Sequence, residues 1–181
     1  ASGDLDNDGL MDVAIIPYDE AHAVYGDTGT AAWTLTPATT RCPSVAMGDL
    51  NGDGIDDVVV ASWDYNVYAI NGATGTQMWS YTCEYYACDV AIGDIIPGEL
   101  GLEVAVGVDY LATSKDLIVL RGYDGFELKS YYTADGCETV ILEDLNGDGA
   151  LDVITATYWV GDVYAWDANN NALLWQATTP D

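Results

Sequence analysis

Positive charge is nearly absent from this chain: four Lys and Arg stand against 30 Asp and Glu, a formal net charge of −26 over 181 residues. Nucleic acids and anionic membrane surfaces are held through basic footprints, so neither is an expected partner. No apolar run reaches membrane-spanning length and no signal-peptide pattern is present, so no membrane insertion is expected. Histidine is represented by His22 alone, beside the strand-like Ala23-Val24-Tyr25, where it reads as a surface or strand-end residue. There is no GxSxG, HExxH, P-loop or dinucleotide fingerprint. The chain is accordingly expected not to be an enzyme. Cysteine is scarce too, and without a CxxC the four residues do not suit a metal site. Disulfides in an oxidising compartment are the expectation. Cys83 and Cys88 could close a local loop, and Cys42 and Cys137, at equal offsets before two of the loops below, could pair or join neighbouring molecules.

What is present argues for a folded domain. Half of the residues are hydrophobic, with 13 Tyr and 6 Trp, which sets the chain apart from acidic disordered tails. At this length one core suffices, and no linker-like stretch divides it. A start at Ala1 rather than Met suits a processed protein or a fragment. The acids are clustered, and clustered negative charge calls for divalent cations.

The clusters recur. The segment GDLNGDGIDDVVV (48–60) has relatives at 3–15 and 143–154 and a degenerate copy at 93–106, with first Asp residues at 4, 49, 94 and 144. Fixed spacing of this size signals stacked or radially arranged units. Each loop is followed by a short apolar run (13–16, 58–61, 104–106, 153–155) and an alternating run (23–25, 67–70, 117–120, 163–166). A Gly- or Asn-rich turn, a strand with Trp33, Trp79, Lys129 or Trp175, and an apolar lead into the next loop complete the unit. The runs are short, β-branched and aromatic, with no sustained helical period. The fold class is therefore all-β, a β-propeller of four four-stranded blades, with repeats at about 1–42, 43–87, 88–137 and 138–181. An open stack of repeats would require polar caps, and none is visible.

GDLNGDGIDDVVVAS resembles the FG-GAP repeat of integrin α-subunit-like propellers, also called VCBS-like. The stretches VYAINGATGTQMW (67–79) and 163–175 resemble the blade tails of quinoprotein-like propellers. Together these cover nearly the whole chain. The first resemblance implies Ca²⁺ at the loops. The second implies no activity, since a quinoprotein needs a cofactor centre and a larger ring.

The residues agree with the calcium reading. Ca²⁺ takes six to eight hard oxygens, and Asp-x-Asp/Asn-x-Asp-Gly turns alternate side chains inward around one point. The expected ligands are Asp4, Asp6, Asp8, the Leu10 carbonyl and Asp12 in the first loop. In the second they are Asp49, Asn51, Asp53, the Ile55 carbonyl and Asp57. In the last they are Asp144, Asn146, Asp148, the Ala150 carbonyl and Asp152. EF-hands and dockerins share the opening but require a following helix, where this chain has Ile15, Val60 and Thr155 in strand-like sequence. Mg²⁺ resists all-protein cages. The third loop has Ile96 at the second ligand position, so three ions for four units are expected.

Tyr18, Trp63, Tyr65, Tyr110, Tyr158 and Trp159 fall between the second and third strands of their units and would share one rim. They suit a protein or glycan ligand, or packing over blade ends. Trp33, Trp79 and Trp175 are expected between blades. Only three residues precede Asp4, so a short first strand and an exposed edge are expected, a template for another chain. The resulting expectation is an extracellular or cell-surface, calcium-stabilised structural or adhesive module, homo-oligomeric or polymeric, with a lectin-like ligand-binding module as the alternative.

Overall fold

The computed structural model describes residues 1–38, 40–109, 114–133 and 135–178. Among them are sixteen strands and no helix, arranged as four antiparallel sheets, each built from four strands consecutive in sequence. The first sheet holds β1 (Ser2–Gly3), β2 (Asp12–Ile15), β3 (Ala21–Val24) and β4 (Ala31–Leu35). The second holds β5 (Ser44–Gly48), β6 (Asp57–Ala61), β7 (Asn66–Ile70) and β8 (Gln77–Thr82). The third holds β9 (Ala87–Gly93), β10 (Glu103–Val108), β11 (Leu117–Arg121) and β12 (Glu127–Tyr131). The last holds β13 (Thr139–Glu143), β14 (Asp152–Ala156), β15 (Asp162–Asp167) and β16 (Ala172–Thr178).

Each sheet repeats one irregularity. The register between its third and fourth strands shifts at Ala23/Val24, Ala69/Ile70, Val119/Leu120 and Ala165/Trp166. The turn before it needs a left-handed residue, supplied by Gly29, Gly75, Gly125 and, in the last sheet, Asn171 at φ 58°. At Gly75 and Gly125 a second constraint applies. A Cβ there would come within 2.6 Å of the Trp33 ring or 2.8 Å of the Trp79 ring of the preceding sheet.

Packing runs between sheets. Sheet one meets sheet two through Leu5, Ala14, Ala23, Val58, Val60 and Ile70. Sheet two meets sheet three through Val59, Val67, Trp79, Val104, Val106 and Ile118. Sheet three meets sheet four through Ala105, Leu117, Val119, Val140 and Val153. A central strand such as β6 is buried on both faces, so it reads Val-Val-Val instead of alternating. The first strands of successive sheets pack together, β1 on β5, β5 on β9 and β9 on β13, while the fourth strands diverge. That wedge geometry is a propeller's. The Asp89 carboxylate ties three inner strands, accepting from Ser44 Oγ (2.6 Å), Thr139 Oγ1 (3.1 Å) and the Val140 amide (2.9 Å). No comparable packing joins β13 to β1 among the described residues, so the four blades form an open arc.

The expected disulfides are absent. All four cysteines are free. The reason is positional: Cys42, Cys83 and Cys137 lie in three different inter-sheet cores, separated by whole sheets.

Candidate metal centres

The three intact loops share one scaffold. In the second, Asp49 Oδ1 accepts the Gly52 amide (2.7 Å) and Oδ2 the Gly54 amide (2.9 Å). Asn51 Oδ1 accepts the Asp53 amide and Asp53 Oδ1 the Ile55 amide, both at 2.9 Å. The fourth loop repeats this with Asp144 to Gly147 and Gly149, Asn146 to Asp148, and Asp148 to Ala150. The first does so with Asp4 to Gly9, Asp6 to Asp8, and Asp8 to Leu10. Each turn residue donates its amide backward to a side-chain oxygen of the loop, which curls the loop on itself. The geometry needs left-handed backbone at two places per loop: Asn7 and Gly9, Gly52 and Gly54, Gly147 and Gly149.

Asp4, Asp6 and Asp8 bring carboxylate oxygens within 4.8 Å of one another. Such a hard-oxygen set fits Ca²⁺. Partial desolvation and the Asp8 charge raise Asp6 above the usual carboxylate range. Desolvation also acts on Asp4, but the amides of Gly9, Asn7, Asp6 and Asp8 outweigh it and hold Asp4 below that range.

The closing acids are not loop residues. Asp12, Asp57 and Asp152 are the first residues of β2, β6 and β14, and they are buried. Asp12 Oδ2 accepts the Leu5 amide (2.8 Å) and Oδ1 the Gly26 amide (2.9 Å), so it struts the loop to the β3–β4 turn. Asp57 does the same with Leu50 and Gly72. Asp152 takes the Leu145 amide at 2.9 Å. Burial pushes Asp57 up to about 6, against the Gly72 and Leu50 amides and with help from Asp53 and Asp49. Each oxygen of Asp12 and Asp152 accepts one hydrogen bond and keeps a lone pair for a ligand, whereas both Asp57 oxygens also accept a side-chain amide, from Asn51 (3.2 Å) and Asn71 (3.4 Å). Of the carbonyl donors, Leu10 is exposed and Ala150 buried.

The third loop keeps the strut and lacks the cage. Glu103 Oε2 accepts the Ile95 and Ile96 amides at 2.8 and 2.9 Å, as the closing Asp does elsewhere. Glu99 pairs with Arg121 at 3.7 Å, a cation where the other loops gather acids.

The opposite ends of the sheets carry the aromatic rim. Trp63 stacks on Tyr86 (5.4 Å), Tyr65 on Tyr85 (5.2 Å), and the Arg41 guanidinium lies 4.7 Å over Trp63. A cavity of about 410 Å³ opens there, lined by Arg41, Trp63, Asp109, Glu138, Tyr158 and Trp159, among others. The Trp63 indole N–H is buried without an acceptor. Tyr18 is exposed and outside this lining, and Tyr110 lies outside the described residues. Sequence reasoning missed Tyr85, Tyr86 and Arg41, which sit in blade-to-blade connections rather than in the repeated part of the blade.

The FG-GAP-like repeat family matches residues 4–60. No curated protein matches the chain. Among solved structures it resembles BamB from Moraxella catarrhalis (18% identity, TM-score 0.64), covering 98% of this chain and 50% of that one. It resembles the V. cholerae biofilm matrix protein Bap1 (19%, TM-score 0.67), covering 99% and 28% respectively. It also resembles Saccharomyces cerevisiae Sqt1 (14%, TM-score 0.70), covering 94% and 48%. The chain thus spans half or less of the length of these structures. With the loop geometry and the four stacked sheets, these likenesses identify an all-β propeller arc whose first blade and a half, residues 4–60, matches the FG-GAP-like repeat family.

Proposed function

We propose that the chain is a calcium-stabilised, non-enzymatic propeller module of the extracellular space or cell surface, serving a structural or adhesive role through self-assembly. The carrying observation is the loop scaffold, built three times from the same hydrogen bonds, with the carboxylates of Asp4, Asp6 and Asp8 drawn together in the first loop. Bound Ca²⁺ neutralises each acid cluster and clamps the loop between the first two strands of its blade, adding stability by mass action. The third blade reaches the same end without a metal, through Glu103 and the Glu99–Arg121 pair. An extracellular setting agrees with the acidic surface and with the likeness to a biofilm matrix protein. Titration calorimetry of chelator-stripped protein tests the reading: three Ca²⁺ bind per chain, and the absence of binding ends it.

A second reading has its own support. The rim cavity combines aromatic faces with the Asp109 and Glu138 carboxylates, a chemistry suited to glycan hydroxyls and ring C–H faces. A glycan array with Trp63→Ala and Trp159→Ala controls separates it from the purely structural role.

A further inference from the structure

The two end faces of the arc carry the two halves of an interface that the chain itself forms three times. At each internal junction the residue after the first loop Asp is covered by the next blade: Leu5, Leu50 and Ile95 are at most 1% exposed, whereas Leu145 is 44% exposed. At each junction the carbonyl of that Asp accepts an amide from the next blade: Asp56 to Asp4 (2.8 Å), Leu102 to Asp49 (3.1 Å), Leu151 to Asp94 (2.9 Å). The fourth acceptor of the series is Asp144, and the matching donor on an incoming first blade is Met11, which is 66% exposed. Trp33 and Trp79 donate their indole N–H to the Gly72 and Gly122 carbonyls of the next blade, both at 2.6 Å. Trp175 holds the same place in the last blade, 42% exposed, and Gly26 is the matching carbonyl in the first. The leading face of the second strand tells the same story. Val58, Val60, Val104, Val106, Val153 and Thr155 are fully buried, while Val13 and Ile15 are 40% and 49% exposed.

One position departs from the series. Gly48 and Gly93 abut Ile92 with Leu102, and Leu142 with Leu151, closely enough that a Cβ would collide. Glu143 stands at that place in the last blade. The series places Glu143 against Ser2, in place of Ile92 and Leu142, and against Met11, in place of Leu102 and Leu151; at the first junction Gly3 lies against Asp56 instead.

We propose that a second copy of this chain docks head to tail, its first blade covering the last blade of its partner and the reverse, closing one ring of eight blades. The contact is heterologous, and two such contacts related by a two-fold axis close without leaving a free end. Two of the similar structures span about twice this arc, which covers 50% and 48% of their chains, so the fold accommodates further blades beyond these end faces. The repulsion between two chains of −26 opposes association, so calcium and salt favour it. This inference specifies the surface and partner of the self-assembly proposed above and does not depend on the calcium sites being the reason for it.

Sedimentation of the calcium-loaded chain tests it. The expected species has twice the 19.3 kDa chain mass. A leading-face variant, Val13→Glu with Ile15→Lys, and a trailing-face variant, Leu145→Asp with Trp175→Ala, change exposed residues and are expected to keep the wild-type circular dichroism. Each alone sediments as a monomer, and an equimolar mixture recovers a dimer through its one intact contact. Monomeric wild type with calcium bound overturns the ring while leaving the calcium reading intact. A polymer that grows with concentration overturns ring closure in favour of an open filament. A dimer unaffected by either variant, or variants that fail to complement, overturns the head-to-tail contact.

Discussion

Replacing Trp79 by alanine is the sharpest test of how the blades are held together. The ring is 8% exposed, lies against Gly125 at a distance no Cβ would permit, and donates its N–H to Gly122 across the junction. Truncating a buried aromatic costs about 3–5 kcal/mol. The stranded Gly122 carbonyl adds about 1 kcal/mol. Trp175→Ala, at the same repeat position but with no neighbour in the monomer, costs about 0.5 kcal/mol. With a urea dependence of about 3 kcal/mol/M, the first substitution lowers the midpoint by roughly 1.5 M and the second by roughly 0.2 M. Trp79→Phe keeps most of the ring and loses the donor, which places it between them, at about 1–3 kcal/mol. Equilibrium unfolding followed by far-ultraviolet circular dichroism, at dilutions where the chain sediments as a monomer, reads all three. Equal midpoint shifts for Trp79→Ala and Trp175→Ala would refute the idea that junction burial, rather than the residue's place in its own sheet, sets the cost.

Three further outcomes follow from the sites. Asp49→Ala and Asp144→Ala should each reduce the calorimetric stoichiometry by one ion, and chelation should lower the melting temperature of the wild type. Burial raises Asp57 to about 6 in the folded chain, above its unfolded value of about 3.9. The folded state therefore binds the proton more tightly, and in chelator stability falls as pH rises from about 4 to 6. Asp57→Asn should reduce that slope in melting curves collected across the window, and an unchanged slope counts against the assignment. Burial also pushes the Cys83, Cys88 and Cys137 thiols up to about 12, so the thiolate fraction at pH 8 is roughly one in ten thousand. Ellman's reagent should find these three nearly inert in the native protein and all four cysteines reactive in denaturant, where a bridged pair would leave two missing.

Much of the arrangement was legible because each blade is written in local chemistry. Loop Asp spacing, β-branched runs and the turn before the blade-tail Trp are contacts within a few residues, and the strands begin and end within a few residues of where those signals put them. The second strands start one residue early, at Asp12, Asp57, Glu103 and Asp152, because the closing acid pairs in the ladder while strutting the loop. The spacing that makes it a candidate ligand carries no sign of the strut. Similarly, Cys42 and Cys137 match in offset because they occupy equivalent junctions, and equivalence in a repeat means separation in space.

The blade is written along the chain: its four strands, its acid-rich loop, the apolar Ile96 in the third copy and a strand rather than a helix after each loop. All of these are set by interactions between near neighbours in the chain. How blades meet is set by packing between residues far apart in the chain. That packing buried Leu5, Leu50 and Ile95 but left Leu145 exposed, gave Trp33 and Trp79 acceptors on the next blade, and held the last sheet away from the first. The four copies of a repeat read nearly alike, and what distinguishes an inner blade from an end blade is which neighbour lies against it.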